Sequence, residues 1–261
     1  MNIIALLTDF GLTDHFAGSV KASILDINPE ANIVDISHNV PRGDVFLGAF
    51  SLLLSFRDFP KGTIFVTVID PGVGSGRAAI AVKCGPYFFI GPDNGVLSLA
   101  CEKNGAHASV RKLENKKFFR TSVSGTFHGR DIFGPVAAHL SKGADFEKLG
   151  PMQKTFLHCQ KPSTLVKADK IQGIVAYIDH FGNCITSIEQ SHLKKMSGRR
   201  IHISIKSKKL IPLCKCYNDV PEGNSLGVIG SAGFLEISVN CGNAAIDLNL
   251  KHGDSVDVAF I

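Results

Sequence analysis

The feature that most limits how this chain can fold is a change of pattern part-way along it. Up to about Lys142, apolar strand-like segments alternate with segments of helical period. Beyond a polar stretch at 151–170, the helical signal nearly vanishes. Residues 2–8 read as a first strand. Across 15–28, Phe16, Val20, Ile24 and Ile27 share one helical face. A second strand follows at 33–36 and a second helix at 44–56, with its N-cap at Gly43 or Asp44. The segment 63–69 is almost continuously apolar, as a parallel strand covered on both faces must be. Strands at 78–83 and 87–90 and helices at 94–102 and 132–142 complete this half. After it, 171–178, 185–188, 200–205, 225–229, 235–239 and 255–261 read as short strands separated by turn residues. The pattern predicts a doubly wound, Rossmann-like α/β domain over 1–155, a linker over 156–167, and a smaller all-β domain over 168–261.

Composition excludes several classes of function. Hydrophobic residues make up 44% of the 261-residue chain and charged residues 20%, as in soluble globular proteins. No apolar run reaches the roughly 18 residues of a membrane helix. The apolar start has no basic flank and meets Asp9 at once, so it reads as a strand and not a signal peptide. These points favour a cytoplasmic protein with no membrane partner. The net charge of +5 is concentrated at 194–209, where Ile201, Ile203 and Ile205 alternate with polar residues. That is the solvated face of a hairpin, and no aromatic or recognition-helix pattern points to nucleic acid. Seven cysteines with no CxxC pair read as reduced, mostly buried thiols, and no metal is implied.

Chemistry concentrates in glycine-framed segments that follow strands. Asp9, in Thr8-Asp9-Phe10-Gly11, ends the first strand, where it either organises a turn or accepts both hydroxyls of a ribose. Asp70 ends the third strand, and Arg77 lies seven residues on, across a loop with glycines at 72, 74 and 76. An exposed ion pair of that kind contributes little stability, and a glycine-rich loop is an odd place to build one. His128, in Gly125-Thr126-Phe127-His128-Gly129-Arg130-Asp131, precedes a helix whose N-terminus lowers an imidazole pKa. Three polar groups at three strand ends suggest a shared site. Arg130 and Asp131 read as braces for the loop and the helix start.

In the second half, Asp179-His180-Phe181-Gly182-Asn183 sits between two strands. It is either an ordinary hairpin turn or an aromatic and an amide suited to a flat base. Segments 230–236 and 242–245 are similar junctions. No GxGxxG or P-loop occurs, and Ser225, in a GxSxG match, lacks the strand-to-helix context of a nucleophile elbow.

Six segments together resemble the S-adenosyl-L-methionine hydroxide adenosyltransferase family, relatives of the bacterial fluorinase and chlorinase. They are TDFG at 8–11, IDPGVGSGR at 69–77, GPDNG at 91–95, GTFHGRDIF at 125–133, YIDHFGN at 177–183 and GSAGFLEI at 230–237. The resemblance implies an α/β domain followed by a β domain, assembly as a homotrimer with sites between subunits, and no cofactor. It also implies hydrolysis of S-adenosylmethionine to adenosine and methionine, with Asp70, Arg77 and His128 handling the water. Asp70 and His128 are expected to accept hydrogen bonds from that water while Arg77 stabilises the developing hydroxide. Asp9 would hold the ribose diol, and Phe181, Asn183 and Tyr217 would face the adenine. Asp179 and Ser231 would meet the methionine end, with Glu236 and Ala244 also against substrate. Ala232 stands where the fluorinase has Arg. Halogenating relatives carry Tyr or a similar residue at the position of Asp70, so the acid here favours water over halide. The competing readings are a halogenase of the same fold, a non-catalytic S-adenosylmethionine or adenosine sensor, and an esterase acting through Ser225.

Overall fold

The computed structural model describes residues 3–194, 201–206 and 209–260. The expected strand residues Asn2, Arg200 and Ile261, and the basic residues at 195–200 and 207–208, lie outside the described residues. The chain divides into two compact units, Met1–Gln160 and Lys161–Ile261.

The first unit runs β1 (Ile3–Thr8), α1 (Phe16–Ile27), β2 (Asn32–Ser37), α2 (Val45–Ser55), β3 (Ile64–Val68), β4 (Ala79–Cys84), β5 (Tyr87–Pro92), α3 (Ser98–Asn104), β6 (Ala108–Lys112), α4 (Gly134–Ser141) and β7 (Met152–Gln153). Its seven strands form one sheet in the order β2-β1-β3-β5-β4-β6-β7. The first four neighbours are parallel, while β4, β6 and β7 add an antiparallel flank. The sheet is therefore mixed. Side-chain alternation along β1 feeds two cores: Ile4 and Leu6 pack with Val20 and Ile24 of α1 and Val136 of α4, and Ala5 and Leu7 pack with Leu52 of α2 and Ala100 of α3. Strands buried on both faces leave their C-terminal ends as the place for polar chemistry. Asp44 caps α2, its carboxylate accepting the Leu47 N–H at 2.9 Å. The third helix begins at Ser98 and not at Asn94, because Asn94 is spent on the preceding turn: its Nδ2 donates to the Ile69 carbonyl at 2.8 Å.

The second unit runs β8 (Leu165–Val166), β9 (Lys170–Ile178), β10 (Cys184–Glu189), α5 (Gln190–Lys194), β11 (Ile201–Ile205), β12 (Lys209–Ile211), β13 (Ser225–Ile229), β14 (Phe234–Val239), α6 (Ala244–Asp247) and β15 (Ser255–Phe260). It is an eight-stranded sheet in the order β12-β11-β15-β9-β10-β14-β13, with β8 on β9 and antiparallel ladders between the named strands. Its core gathers Ile171, Val175, Ile203, Leu235, Ile237 and Val258. Among the described residues this unit departs from all-β at the short helices α5 and α6 and at a 3-10 turn over Tyr217–Asp219. Of the seven free cysteines, Cys84, Cys101 and Cys184 are buried, Cys159 and Cys214 are half-buried, and Cys216 and Cys241 are exposed. That corrects the expectation that most are buried. Ser225 opens β13 opposite Val239, so a strand follows it, not a helix.

Candidate active site

In the first unit, Thr8 of β1 pairs with Val68 of β3, so Asp9 and Asp70 leave neighbouring parallel strands at the same edge of the sheet. The loop after Asp70 is tightened by its own backbone, with Val73 N–H donating to the Asp70 carbonyl at 3.2 Å and Ser75 N–H to that of Gly72 at 3.1 Å. It thereby returns Arg77 to Asp70. The Arg77 Nε donates to Asp70 Oδ1 at 2.9 Å, and its Nη2 donates to Oδ2, a two-pronged ion pair. Both side chains are nearly enclosed, at 10% and 6% exposure, so this is not the solvated pair that contributes little. Phe133 lies beneath, its ring 5.4 Å from the guanidinium carbon.

The same Arg77 Nη2 donates to His128 Nδ1 at 2.7 Å. Asp70, Arg77 and His128 are thus one connected network. The two glycine-framed segments also meet through their backbones: Gly74, at φ +77°, lies so close to the Gly125 carbonyl that a Cβ would overlap it. No other residue could sit there without separating the loops. The contact explains why glycine is needed in a loop that also holds a buried ion pair.

The chemical state of His128 follows from its neighbours. A guanidinium can only donate, so Nδ1 must be the acceptor and the neutral ring carries its proton on Nε2. Burial lowers the imidazole pKa, and the Arg77 charge lowers it further against the upward pull of Asp70 and Asp131. Burial and a cation therefore favour the neutral ring, at the start of the helical turn Gly129–Phe133. This revises the expected role as well: His128 presents an N–H, while the remaining lone pairs of Asp70 are free to accept. Asp9, Asp70 and His128 line a cavity of about 60 Å³ together with Phe10, Val68 and Phe127. That is room for a few water molecules. Asp9 also accepts the Gly43 N–H through Oδ2 at 2.8 Å, which fixes its carboxylate at the cavity's edge. Arg130 and Asp131 pair with each other behind the loop, at 2.7 Å from Nε to Oδ1.

The predicted residues of the second unit form a different kind of group. Asp179 organises the β9–β10 turn: its Oδ1 accepts from the Phe181 and Asn183 N–H groups at 2.9 and 2.8 Å, and its Oδ2 from Asn183 Nδ2 at 2.9 Å. The hairpin and the polar cluster are thus the same structure. Gly182, at φ +86°, lies against the Asn243 side chain, and the Ala245 N–H donates to its carbonyl at 3.0 Å. Phe181 and Tyr217 are exposed aromatics, at 72% and 41%. Burial, reinforced by the charge of Asp179, pushes the Glu236 carboxyl up to about 7. Burial and the charges of Glu236 and Asp179 likewise push the Tyr217 hydroxyl up. Tyr217 and Glu236 therefore both sense the Asp179 charge, and Gly230 lies directly against the Glu236 carboxylate. Ser231 is exposed in the β13–β14 turn. Ala244 is fully enclosed in the core, so it stands behind the turn and not on a surface a ligand reaches. Sequence reasoning passed over Phe133 and Asn94 as supports of Asp70 and Arg77; both lie inside segments whose glycines and charges drew attention first. Among the described residues, no group of His, Cys, Asp and Glu is placed to hold a metal ion, and no helix is long and apolar enough to cross a membrane.

Acid, guanidinium and imidazole thus gather at the edge of the first unit's sheet where β1 and β3 end, the side on which open α/β sheets take their ligands, with His128 supplied by a loop and not by a strand end. Residues 4–150 match the model of the SAM hydroxide adenosyltransferase N-terminal domain and residues 173–257 that of the C-terminal domain, and the chain belongs to this family. It is 33% identical to the (R)-S-adenosyl-L-methionine hydrolase of Thermus thermophilus over 97% of this chain and 98% of that one. A fluorinase of Nocardia brasiliensis is 28% identical over 98% and 96%. The crystal structure of a conserved protein from Thermotoga maritima superposes with a TM-score of 0.93 at 38% identity, covering 98% of this chain and 99% of that one.

Proposed function

We propose that this chain hydrolyses S-adenosyl-L-methionine with water at the ribose 5′ carbon, giving adenosine and L-methionine. The observation that carries the residue-level reading is the enclosed Asp70–Arg77–His128 network beside a cavity of about 60 Å³ that Asp9 also lines. Water oxygen attacks the 5′ carbon as the carbon–sulfur bond breaks. The sulfur departs as a neutral thioether, so the leaving group needs no acid, and the water's proton is lost to the Asp70 carboxylate. Arg77 holds that carboxylate in one orientation, and the His128 Nε2–H fixes the water oxygen from a second direction. An enclosed site strengthens each of these contacts relative to open water. No cofactor enters this scheme.

Asp9 accepts the ribose hydroxyls in this reading. In the second unit, Phe181, Asn183 and Tyr217 serve the adenine, and Asp179, Ser231 and Glu236 the cationic methionine end. A pair of carboxylates close enough for one to raise the other suits a substrate carrying both a sulfonium and an ammonium charge. Homotrimeric assembly and residence in the cytoplasm belong to the same reading. The seven free thiols support a reducing compartment, and sedimentation equilibrium measures the assembly. The functional test is product analysis in oxygen-18 water: label in the 5′ hydroxyl of adenosine is expected. Formation of 5′-halo-adenosine in chloride or fluoride, or bound substrate with no methionine released, would overturn the proposal.

A further inference from the structure

The Asp70–Arg77–His128 network leaves one fully buried charge unexplained, that of Asp131. Its exposure is 0%, yet it faces away from the cavity. Its Oδ1 accepts Arg130 Nε at 2.7 Å, and its Oδ2 accepts Arg130 Nη2 at 3.1 Å and the Ser124 backbone N–H at 2.9 Å. Its own N–H donates to the Phe127 carbonyl at 3.1 Å, and its carbonyl accepts from Arg120 N–H at 3.0 Å. The Arg130 guanidinium also lies over the Phe127 ring, 4.9 Å from its centroid. One carboxylate therefore ties down the loop on both sides of His128. The segment Gly129–Phe133 that carries Asp131 is a π-helical turn ahead of α4, a costly geometry that recurs at functional sites.

We propose that Asp131 is a positioning residue: its buried carboxylate clamps the loop that carries His128 and supplies, from behind, the negative charge that balances Arg77 across the imidazole. The proposal rests on the hydrolase reading given above. The charged groups around the ring are Arg77 on its Nδ1, Asp70 beyond Arg77, Asp9 across the cavity, and Asp131 behind, paired with Arg130. The first helix packs on the segment through Phe16 and Val20, which carry no charge. Burial and Arg77 favour the neutral ring, and Asp131 opposes them together with Asp70. Burial raises the Asp131 carboxyl, but the Arg130 guanidinium and Ser124 outweigh it and hold the acid below its ordinary range, so its charge persists in acid solution.

The neutral ring is the form that accepts from Arg77, so kcat falls as pH drops through the His128 transition. Asp131→Asn keeps an acceptor for the Ser124 N–H and removes the charge. The ring then gives up its proton more readily, and the acid shoulder of kcat moves to lower pH. Relative to its own plateau, D131N is expected to retain about threefold more activity on that shoulder than the parent. The plateau itself should fall about tenfold because the loop is looser. Arg130→Met leaves the Asp131 charge in place, and its shoulder does not move to lower pH. The His128 C2–H resonance, assigned by its loss in His128→Gln, should report the same displacement by NMR without reference to turnover. A D131N shoulder and resonance that stay where the parent's lie would overturn the proposal, as would equal shifts in D131N and R130M. Full activity in H128Q would instead remove His128 from the chemistry, and a parent that releases no adenosine would remove the hydrolase reading on which the proposal rests, so the failures are distinguishable.

Discussion

The polar groups of the two units are arranged on opposite principles. In the first unit the charged groups are matched: Asp70 and the neutral His128 ring both meet Arg77, Asp131 behind the loop meets Arg130, and Asp9 accepts the Gly43 N–H. In the second, Asp179 meets only the uncharged donors of its own turn, and burial with the Asp179 charge pushes Glu236 up to about 7. A balanced, enclosed network is already organised before substrate arrives, which suits a transition state. An unbalanced one is relieved by a cation, which suits binding. The contrast separates a rate-setting group of residues from an affinity-setting group.

The largest expected effect lies in the first unit. Asp70→Ala should lower kcat by about 10³-fold, with S-adenosylmethionine affinity by calorimetry changed little. Unchanged turnover would remove Asp70 from the chemistry. Gly74→Ala should come next, because its Cβ overlaps the Gly125 carbonyl at a positive φ. We expect a fall of about 10²-fold in kcat with a modest change in KM. The matching change in the second unit, Gly182→Ala, meets the Asn243 side chain at φ +86°. It should raise KM about tenfold and leave kcat near the parent value. If both glycine variants changed kcat and KM alike, the division of labour would collapse.

Glu236→Gln is the mildest test and the most specific. The parent carboxyl ionises near 7, so substrate KM should fall as pH rises through that range, and E236Q should flatten the dependence. The expected change in KM at pH 8 is about threefold. The stability sign is opposite to that of a paired acid. The folded pKa lies above the ordinary value of 4.5, so the folded state holds the extra proton between the two. Parent stability is therefore lost as pH rises through about 7. The melting temperature of E236Q should exceed the parent's at pH 8 and match it at pH 4.

Much of the fold was legible because burial on both faces leaves a plain mark. The apolar run of β3, the one-sided face of α1 and the Asp44 cap all emerge close to their expected places. The antiparallel flank of the first sheet was not legible, since a buried strand reads the same whichever way its neighbour runs. The strand β6 was missed because its sequence, Ala108-Ser109-Val110-Arg111-Lys112, buries fully only Val110 and carries too little apolar pattern. Glycine spacing marked both site loops but could not show that Gly74 and Gly125 touch.

By itself the sequence determined the succession of strands and helices and the loops that hold the ionisable residues, Asp70 among them. Only the tertiary structure decided how those residues act. It routed one guanidinium to both Asp70 and His128, fixed the ring's tautomer through a donor 51 residues distant in the chain, withdrew Ala244 into the core, and set a buried carboxylate behind the histidine. The physical reason is that protonation and hydrogen-bond direction depend on burial and on neighbours a few ångströms away, and neither is fixed by distance along the chain.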